Sequence, residues 1–356
     1  VAVDVPTGLT GSSAEIPGPH LPADLTVTFA ALKTCHALPP ACISCGEVAV
    51  VDIGIPPAAI DQGCSLRMTD SSDIALMLPR RRPDGHKGRF GHLMIIAGST
   101  GRGGAVAMAA KSAVVMGSGL VTMVVPEPVV PVVDAACLEA MTHPLKADAD
   151  GGIAGPDGLD HLFKRMTAIA AGPGLGTGGG AAKTLKWLLE TWTGPLLLDA
   201  DAINIIAGSP ESVSGRETPA VLTPHPGELA NLLGVSTVEI LADRLKAARE
   251  AARRSGAVVV AKGYGTIIAE PTGQAWVNPT GDVGLASGGS GDVLTGAIGA
   301  LLAQGVDPIR SALVGCWLHG RAGEIGGEIY PAAVPASELP GLLADAWQDL
   351  EDAGAE

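Results

Sequence analysis

The sequence predicts an α/β fold: a three-layer α/β/α sandwich on a mostly parallel central sheet. Three observations predict it. From His92 onward, short β-rich runs alternate with longer helical runs. Each β-rich run is mostly apolar and bounded by Gly, Pro or Asp, as strands buried on both faces are. Glycine-rich stretches stand where strands hand over to helices, which is where ligands sit in such sheets.

In chain order, residues 1–56 carry two strand-like runs, Val1–Val5 and Val48–Ile53, and little helix. That is too little apolar surface for an independent core. A short helical piece follows near Asp70–Met77, then the basic, Pro/Gly-rich run Pro79–Gly91. We read residues 1–60 as one unit, 61–85 as a linker and 86–350 as the main domain. Strands are expected at His92–Ala97, Leu120–Val125, Ala168–Ala171, Pro195–Leu198, Ala220–Thr223, Val258–Ala261 and Thr266–Ala269. Helices are expected at Gly104–Met116, Gly180–Glu190, Pro226–Leu233, Val238–Ser255, Ser290–Ala303 and Pro308–Gly323. Thr266–Val277, with Pro271-Thr-Gly273 in its middle, reads as a β-hairpin.

Composition narrows the function. The chain is 47% apolar and 17% charged, which describes a globular protein with a large core. Aromatic residues make up 3%, so Ala, Val, Leu and Ile must fill that core. A net charge of −14 argues against a nucleic-acid surface, although a local nest of amides still binds phosphate on an acidic protein. No apolar run is long enough to span a bilayer. The chain opens on Val1 inside what reads as a buried strand, so further chain is expected before it. Cys42-Ile-Ser-Cys45 has no second C-x-x-C after it, so ordinary reduced thiols are expected rather than a zinc or redox site. Such usage suits a reducing cytoplasm.

The most informative stretch is Leu285-Ala-Ser-Gly-Gly-Ser-Gly-Asp-Val-Leu-Thr-Gly296. Residues without side chains let N–H groups converge, and the helix behind adds its positive end. Gly288, Gly289, Ser290 and Gly291 therefore form a candidate phosphate nest. A carboxylate, Asp292, stands against it. Two negative charges repel, so Asp292 makes sense as a base that takes a hydroxyl proton as phosphate arrives. The structural alternative is a Gly-rich helix cap with an acid in its first turn.

Other junctions add candidates. His86-Lys-Gly-Arg-Phe-Gly91 and Gly98-Ser-Thr-Gly-Arg-Gly-Gly-Ala105 flank the first main strand, and Lys87 or Arg89 could attract phosphate; a solvated basic loop is the plainer reading. Ala171-Gly-Pro-Gly-Leu-Gly176 is a second strand-to-helix loop without dinucleotide-fingerprint spacing. Asp199 and Asp201 would face opposite ways if extended, one orienting a substrate or metal and one capping the next helix. Thr223-Pro-His-Pro-Gly-Glu228 displays His225 and Glu228. His225 could bond a substrate hydroxyl or amide, and Glu228 could hold hydrated Mg²⁺ or act as a first-turn helix acid. Lys262-Gly-Tyr-Gly-Thr266, at a strand end, suits nucleotide binding or a surface turn. Asn278-Pro-Thr-Gly-Asp-Val-Gly284 leads into the nest.

The combination resembles the ADP-dependent NAD(P)H-hydrate dehydratases, enzymes of the ribokinase-like fold. The motifs His86-Lys-Gly, Gly172-Pro-Gly-Leu-Gly176, Asp199-Ala-Asp201, Thr223–Glu228, Lys262-Gly and Gly288–Asp292 occur in that family's order over residues 70–330. Val3-Asp-Val-Pro-Thr-Gly-Leu9, Ala23-Asp24, Thr26-Val-Thr-Phe29, Lys33 and Asp52-Ile-Gly-Ile-Pro56 resemble the closing strands of the companion NAD(P)H-hydrate epimerase domain, a Rossmann-like domain. Residues 1–60 thus look like its C-terminal remnant, without its nucleotide loop and catalytic acid, and epimerase activity is not expected.

The resemblance implies a nucleotide-dependent lyase. ADP or ATP phosphorylates the ring hydroxyl of the S-epimer of NADH or NADPH hydrate, phosphate leaves, and the dihydronicotinamide returns. It implies Asp292 as the activating base and the amides of Gly289, Ser290 and Gly291 as the anion hole. It puts Lys262, Gly263, Tyr264, Gly265 and Thr266 in the nucleotide loop, joined by Gly288 to Gly291. Ala105, Gly174, His225 and Asp292 would line the hydrate site, with Asp4 a hydrate-binding position of the remnant. Glu228 would hold Mg²⁺ through water, and Thr7, where the family usually has Ser, would mark a potassium site. A homotetramer is expected by the same resemblance. Two other readings remain: a small-molecule kinase of this fold, and a non-catalytic nucleotide-binding protein.

Overall fold

The computed structural model describes residues 1–354. The first unit contains β1 (Ala2–Val3), β2 (Leu25–Phe29), α1 (Thr34–Ala37), β3 (Glu47–Val51) and α2 (Pro57–Asp61). Its three strands form a parallel sheet in the order β1-β2-β3. The β1 strand is shorter than expected because Asp4 turns to a positive φ of 65°. The middle strand β2, Leu-Thr-Val-Thr-Phe, escapes a search for apolar runs because its threonines alternate with apolar residues; both threonines are buried.

Residues 61–85, expected as a linker, are instead partly built into the main domain. They hold β4 (Leu66–Met68), which pairs in parallel with a strand of the main sheet, and α3 (Ser71–Ala75), capped by the Asp70 carboxylate on the Asp73 N–H. The β4 run is only three residues, too short to read from periodicity.

The main domain continues with β5 (His92–Ile96), α4 (Gly103–Val115), β6 (Leu120–Pro126), α5 (Val130–Ala136), β7 (Met141–Leu145), β8 (Ala168–Ala171) and α6 (Gly179–Thr191). Next come β9 (Leu196–Leu198), α7 (Asp201–Ile205), β10 (Val221–Leu222), α8 (Pro226–Leu233), α9 (Thr237–Ala242), α10 (Arg244–Ser255), β11 (Val258–Ala261), β12 (Thr266–Ala269) and β13 (Ala275–Asn278). The chain closes with α11 (Ser290–Ala303), α12 (Pro308–Ile329) and α13 (Leu339–Ala353). The ten-stranded sheet runs β4-β13-β12-β11-β10-β9-β8-β5-β6-β7. It is parallel except where β12 pairs antiparallel with β11 and β13, which makes the expected hairpin.

One apolar core lies on each face of the sheet. The first is filled from α4, α11, α12 and α13, the second from α6, α8 and α10. Ala14 and Leu38 of the first unit enter the second core, so that unit is anchored to the main domain. The helix expected over 238–255 is two helices. Asp243 breaks it, leaving helical geometry to cap α10 with its carboxylate on the Lys246 N–H. The elements α5, β7, α7 and α13 were not expected. The first three are short, and α13 carries Pro340 in its first turn. Among the described residues no helix is long and apolar enough to cross a membrane.

Candidate active site

The glycine-rich loops converge at the carboxyl ends of the strands. Gly98 after β5 donates its N–H to Pro173 O after β8, and Ser99 Oγ donates to Gly174 O at 2.9 Å. Gly172 has φ 131°, and a Cβ there would lie 1.8 Å from Asp199 O, so side-chain-free backbone is needed for β8 and β9 to meet the site. Lys262 N–H donates to Pro224 O at 2.9 Å, joining the loop after β11 to the Pro-His-Pro turn after β10. Lys87 and Arg89 fall elsewhere. Their loop precedes β5, and Lys87 O packs against Gly119 just before β6, at the amino ends of the strands. Local glycine content cannot tell which end of a sheet a loop occupies.

Asp199 organises the floor of the site. It ends β9 and is buried. Its Oδ1 accepts from Thr223 Oγ1 and from Lys262 Nζ, both at 2.8 Å, and its Oδ2 accepts from Thr295 Oγ1 at 2.7 Å. Lys262 Nζ also stands 3.7 Å from Glu228 Oε2. The lysine ammonium is thus turned inward, toward the carboxylates and the start of α11, where a Cβ on Gly291 would be 3.4 Å from it. Burial alone would depress the Lys262 pKa, but the facing Asp199, Glu228 and Asp292 charges raise it, so it stays charged. Asp201, one residue beyond the positive-φ Ala200, begins α7. Its Oδ2 accepts from Gly176 N–H at 2.8 Å and from Arg102 Nη1 at 3.1 Å.

His225 and Glu228 form a reciprocal cap on α8. His225 Nδ1 accepts from the N–H groups of Gly227 and Glu228, while Glu228 Oε2 accepts from His225 N–H at 2.8 Å. With Nδ1 acting as acceptor, the ring proton sits on Nε2, 3.3 Å from Glu228 Oε1. The imidazole is more than half exposed, whereas the Glu228 carboxylate is buried, and burial raises its pKa first, against the pull of Lys262.

The nest is built by α11. Gly289, its N-cap, has φ 100°, and a Cβ there would meet Met108 Cε at 2.5 Å. The N–H groups of Gly289, Gly291 and Asp292 have no acceptor among the described residues, whereas Ser290 N–H leans on Ser287 O at 3.4 Å. Two of the expected amides, Gly289 and Gly291, are thus open, Ser290 N–H is engaged, and Asp292 N–H is open beside them. Ser290 Oγ bonds to Leu285 O, and His319 Nε2 to Ser290 O at 2.9 Å, which pins the turn from below. Burial pushes His319 down to about 4, so it is neutral and donates. Nothing in its apolar helical context marked it beforehand. Asp292 lies in the first turn of α11. Burial first, then the Asp199 charge, pushes its carboxyl up to about 7, against the lowering effect of Lys262.

Gly263, Tyr264 and Gly265 form an exposed to half-buried loop whose carbonyls at Tyr264 and Gly265 accept from the buried Arg244 guanidinium at 2.7 and 2.9 Å. Thr266 Oγ1 closes it on Gly263 O. Gly288 is exposed beside the nest. A Cβ on Gly174 would lie 3.4 Å from Ala105 Cβ, so those two line one wall together. Asp4 and Thr7 belong to the first unit: Asp4 Oδ1 binds Lys33 Nζ at 2.6 Å and Thr28 Oγ1 at 2.9 Å, and Thr7 is exposed with its carbonyl accepting from Leu21 N–H.

All six cysteines are free. Cys35, His36 and Cys45 place their ligand atoms within 4.8 Å of one another; His36 Nδ1 accepts from Lys33 N–H, and its buried Nε2 has no partner among the described residues. Burial pushes the Cys35 and Cys42 thiols up to about 11, which leaves them poor nucleophiles.

A family model described as NAD(P)H-hydrate dehydratase matches residues 93–340. A bifunctional NAD(P)H-hydrate repair enzyme of Moorella thermoacetica is 39% identical over 357 residues, covering 99% of this chain and 67% of the relative. The enzyme of the same name from Escherichia coli is 37% identical, covering 91% of this chain and 60% of its own length. The chain thus spans about two thirds or less of these relatives. The ADP/ATP-dependent NAD(P)H-hydrate dehydratase of Bacillus subtilis, co-crystallised with ATP and Mg²⁺, superposes with a TM-score of 0.70 at 32% identity, covering 80% of this chain and 99% of that one. A ribokinase-like protein of Enterococcus faecalis, 24% identical with a TM-score of 0.67 over 80% of this chain and 96% of its own, shares the fold. With a ribokinase-like sheet, a carboxylate set against open amides and a family match across most of its length, this chain belongs to the NAD(P)H-hydrate dehydratase family.

Proposed function

We propose that this chain dehydrates NADH or NADPH hydrate at the expense of ADP or ATP. One observation carries the reading: Asp292, a carboxyl raised to about 7, stands beside three unpartnered amides at the start of a 14-residue helix. A base poised near neutrality and an anion hole are the two parts that phosphorylation of an alcohol requires. Asp292 takes the proton of the ring hydroxyl as its oxygen bonds to the terminal phosphorus and the nucleotide P–O bond breaks. The amides of Gly289, Gly291 and Asp292 receive the transferring oxygens, with Lys262 behind them. The phosphate then leaves with the former hydroxyl oxygen, the adjacent ring carbon gives up a proton, and the dihydronicotinamide is restored. Phosphate leaves far more easily than hydroxide, which is why a nucleotide is consumed.

The loop Lys262–Thr266 is the nucleotide side, and Ala105, Gly174 and His225 are the hydrate side. His225 presents its Nε2–H, since Nδ1 is held by the helix cap. The buried carboxylates of Asp199 and Glu228 suit the waters of a hard cation, and no three of the site's carboxylates converge into a direct ligand set. Mg²⁺ there would offset the charge of the nucleotide phosphates. The epimerase-type residues Asp4 and Thr7 have no part in this reaction.

The test is recovery of 340 nm absorbance from prepared NADH hydrate and NADPH hydrate, with Mg²⁺ and either ADP or ATP. Nucleotide-dependent recovery supports the dehydratase. A phosphorylated product without recovery would favour the kinase reading, and nucleotide binding without turnover a non-catalytic one.

A further inference from the structure

The site is more negative than its proposed substrate should tolerate. Four carboxylates, Asp199, Asp201, Glu228 and Asp292, surround it in a chain of net charge −14. The charge of Lys262 is already matched by Asp199 and Glu228. A dinucleotide hydrate carries a bridging diphosphate, and its NADPH form a further 2′-phosphate. Such an anion needs a cation that still has donors to spare.

Arg102 is that cation. It is set into the hydrate-side wall: a Cβ on Gly174 would be 2.9 Å from Arg102 Cβ and 3.4 Å from Ala105 Cβ. Its backbone is fixed by Arg102 N–H to Ser99 O at 2.8 Å, and Ser99 Oγ is fixed to Gly174 O. The guanidinium leans on Asp201 through Nη1 at 3.1 Å, and the side chain stays 57% exposed. Asp201 in turn is held by Gly176 N–H, so the fork is aimed from a rigid base. One of its five N–H donors is engaged by a protein acceptor, which leaves the others for a ligand. Arg102 is also the N-cap of α4, where its side chain makes no capping bond.

We propose that Arg102 binds the phosphate oxygens of the dinucleotide hydrate and sets its affinity, the proposal resting on the dehydratase reading above. A planar guanidinium matches a phosphate in a two-bond fork that an ammonium cannot reproduce. A contact to the phosphates rather than to the reacting hydroxyl strengthens substrate and transition state alike and acts on KM.

The experiment compares Arg102→Gln and Arg102→Lys with the wild type, using NADH hydrate and NADPH hydrate at saturating nucleotide, and nucleotide at saturating hydrate. The Gln variant is expected to raise hydrate KM on the order of tenfold, with kcat and nucleotide KM within about twofold of wild type. The Lys variant falls between. An equal rise for both hydrates assigns the contact to the diphosphate, and a rise confined to NADPH hydrate assigns it to the 2′-phosphate. Wild-type hydrate KM should also climb with salt more steeply than that of the Gln variant. Unchanged hydrate KM, or a nucleotide KM that moves as much, overturns the proposal. Failure of the dehydratase reading looks different: the wild type itself restores no absorbance. Thermal melts of the variants control for folding, since an ion pair this exposed contributes little.

Discussion

Asp292→Asn should make this protein more stable above neutral pH while abolishing turnover. The wild-type carboxyl is raised from an ordinary 3.8 to about 7, by burial first and by the Asp199 charge second. The native state therefore holds this proton more tightly than the unfolded chain does. As pH rises from about 4, the unfolded chain ionises freely while the native state resists, so folding loses free energy until about pH 7 and then levels off. A shift of that size corresponds to on the order of 4 kcal/mol as an upper bound. An asparagine cannot ionise, but its amide in this pocket gives back about 1–3 kcal/mol if it finds no partner. A net gain of about 1–3 kcal/mol at pH 8 is expected, shrinking to nothing or reversing by pH 4–5. Denaturant melts of both proteins at pH 5, 6.5 and 8 read it directly. In the same pH series, wild-type kcat/KM should fall about tenfold per pH unit below 7, as the base becomes protonated. A variant no more stable at pH 8 than at pH 5, relative to wild type, would refute the electrostatic account. A wild-type rate that stays flat between pH 5.5 and 7 would refute the catalytic one.

Two further outcomes follow from the same cluster. Lys262→Met leaves Asp199 and Glu228 facing each other in a buried site without a counterion, so a stability loss of about 3–5 kcal/mol is expected at pH 8, shrinking as pH falls because burial favours the neutral form of Glu228; equal losses at pH 8 and pH 5 would count against it. Gly289→Ala should cost about 1–2 kcal/mol for its φ of 100° and drive a methyl toward Met108, with turnover falling on the order of a hundredfold as the nest opens. Gly104→Ala, a helical glycine whose Cβ would meet nothing within 4 Å, is its stability control and should be neutral or slightly stabilising in the same melts.

Sequence pattern served best where an element was long and uniformly apolar. Helices α4, α6, α8 and α11 and strands β5, β8 and β11 came out within one to a few residues, because burial on both faces leaves a continuous apolar run between glycine or proline breaks. It served worst at short and polar elements. Strand β4 has three residues, β2 hides buried threonines, and Asp243 splits a continuous amphipathic stripe to satisfy a helix end. In each case a tertiary contact decided the outcome: pairing with β13, hydrogen bonding of Thr26 and Thr28 to partners in the first unit, and a cap.

The sequence by itself determined the fold class, the glycine-rich turns and the juxtaposition of Asp292 with a run of backbone amides, because these depend on residues adjacent in the chain. Only the tertiary structure decided what surrounds them. It turned Lys262 inward onto Asp199 and Glu228, put Lys87 and Arg89 at the far end of the strands, held His225 as an Nε2–H donor, and set Arg102 against Asp201 from 99 residues away. Electrostatic energies depend on distance through space and on burial, and neither is written in local order along a chain.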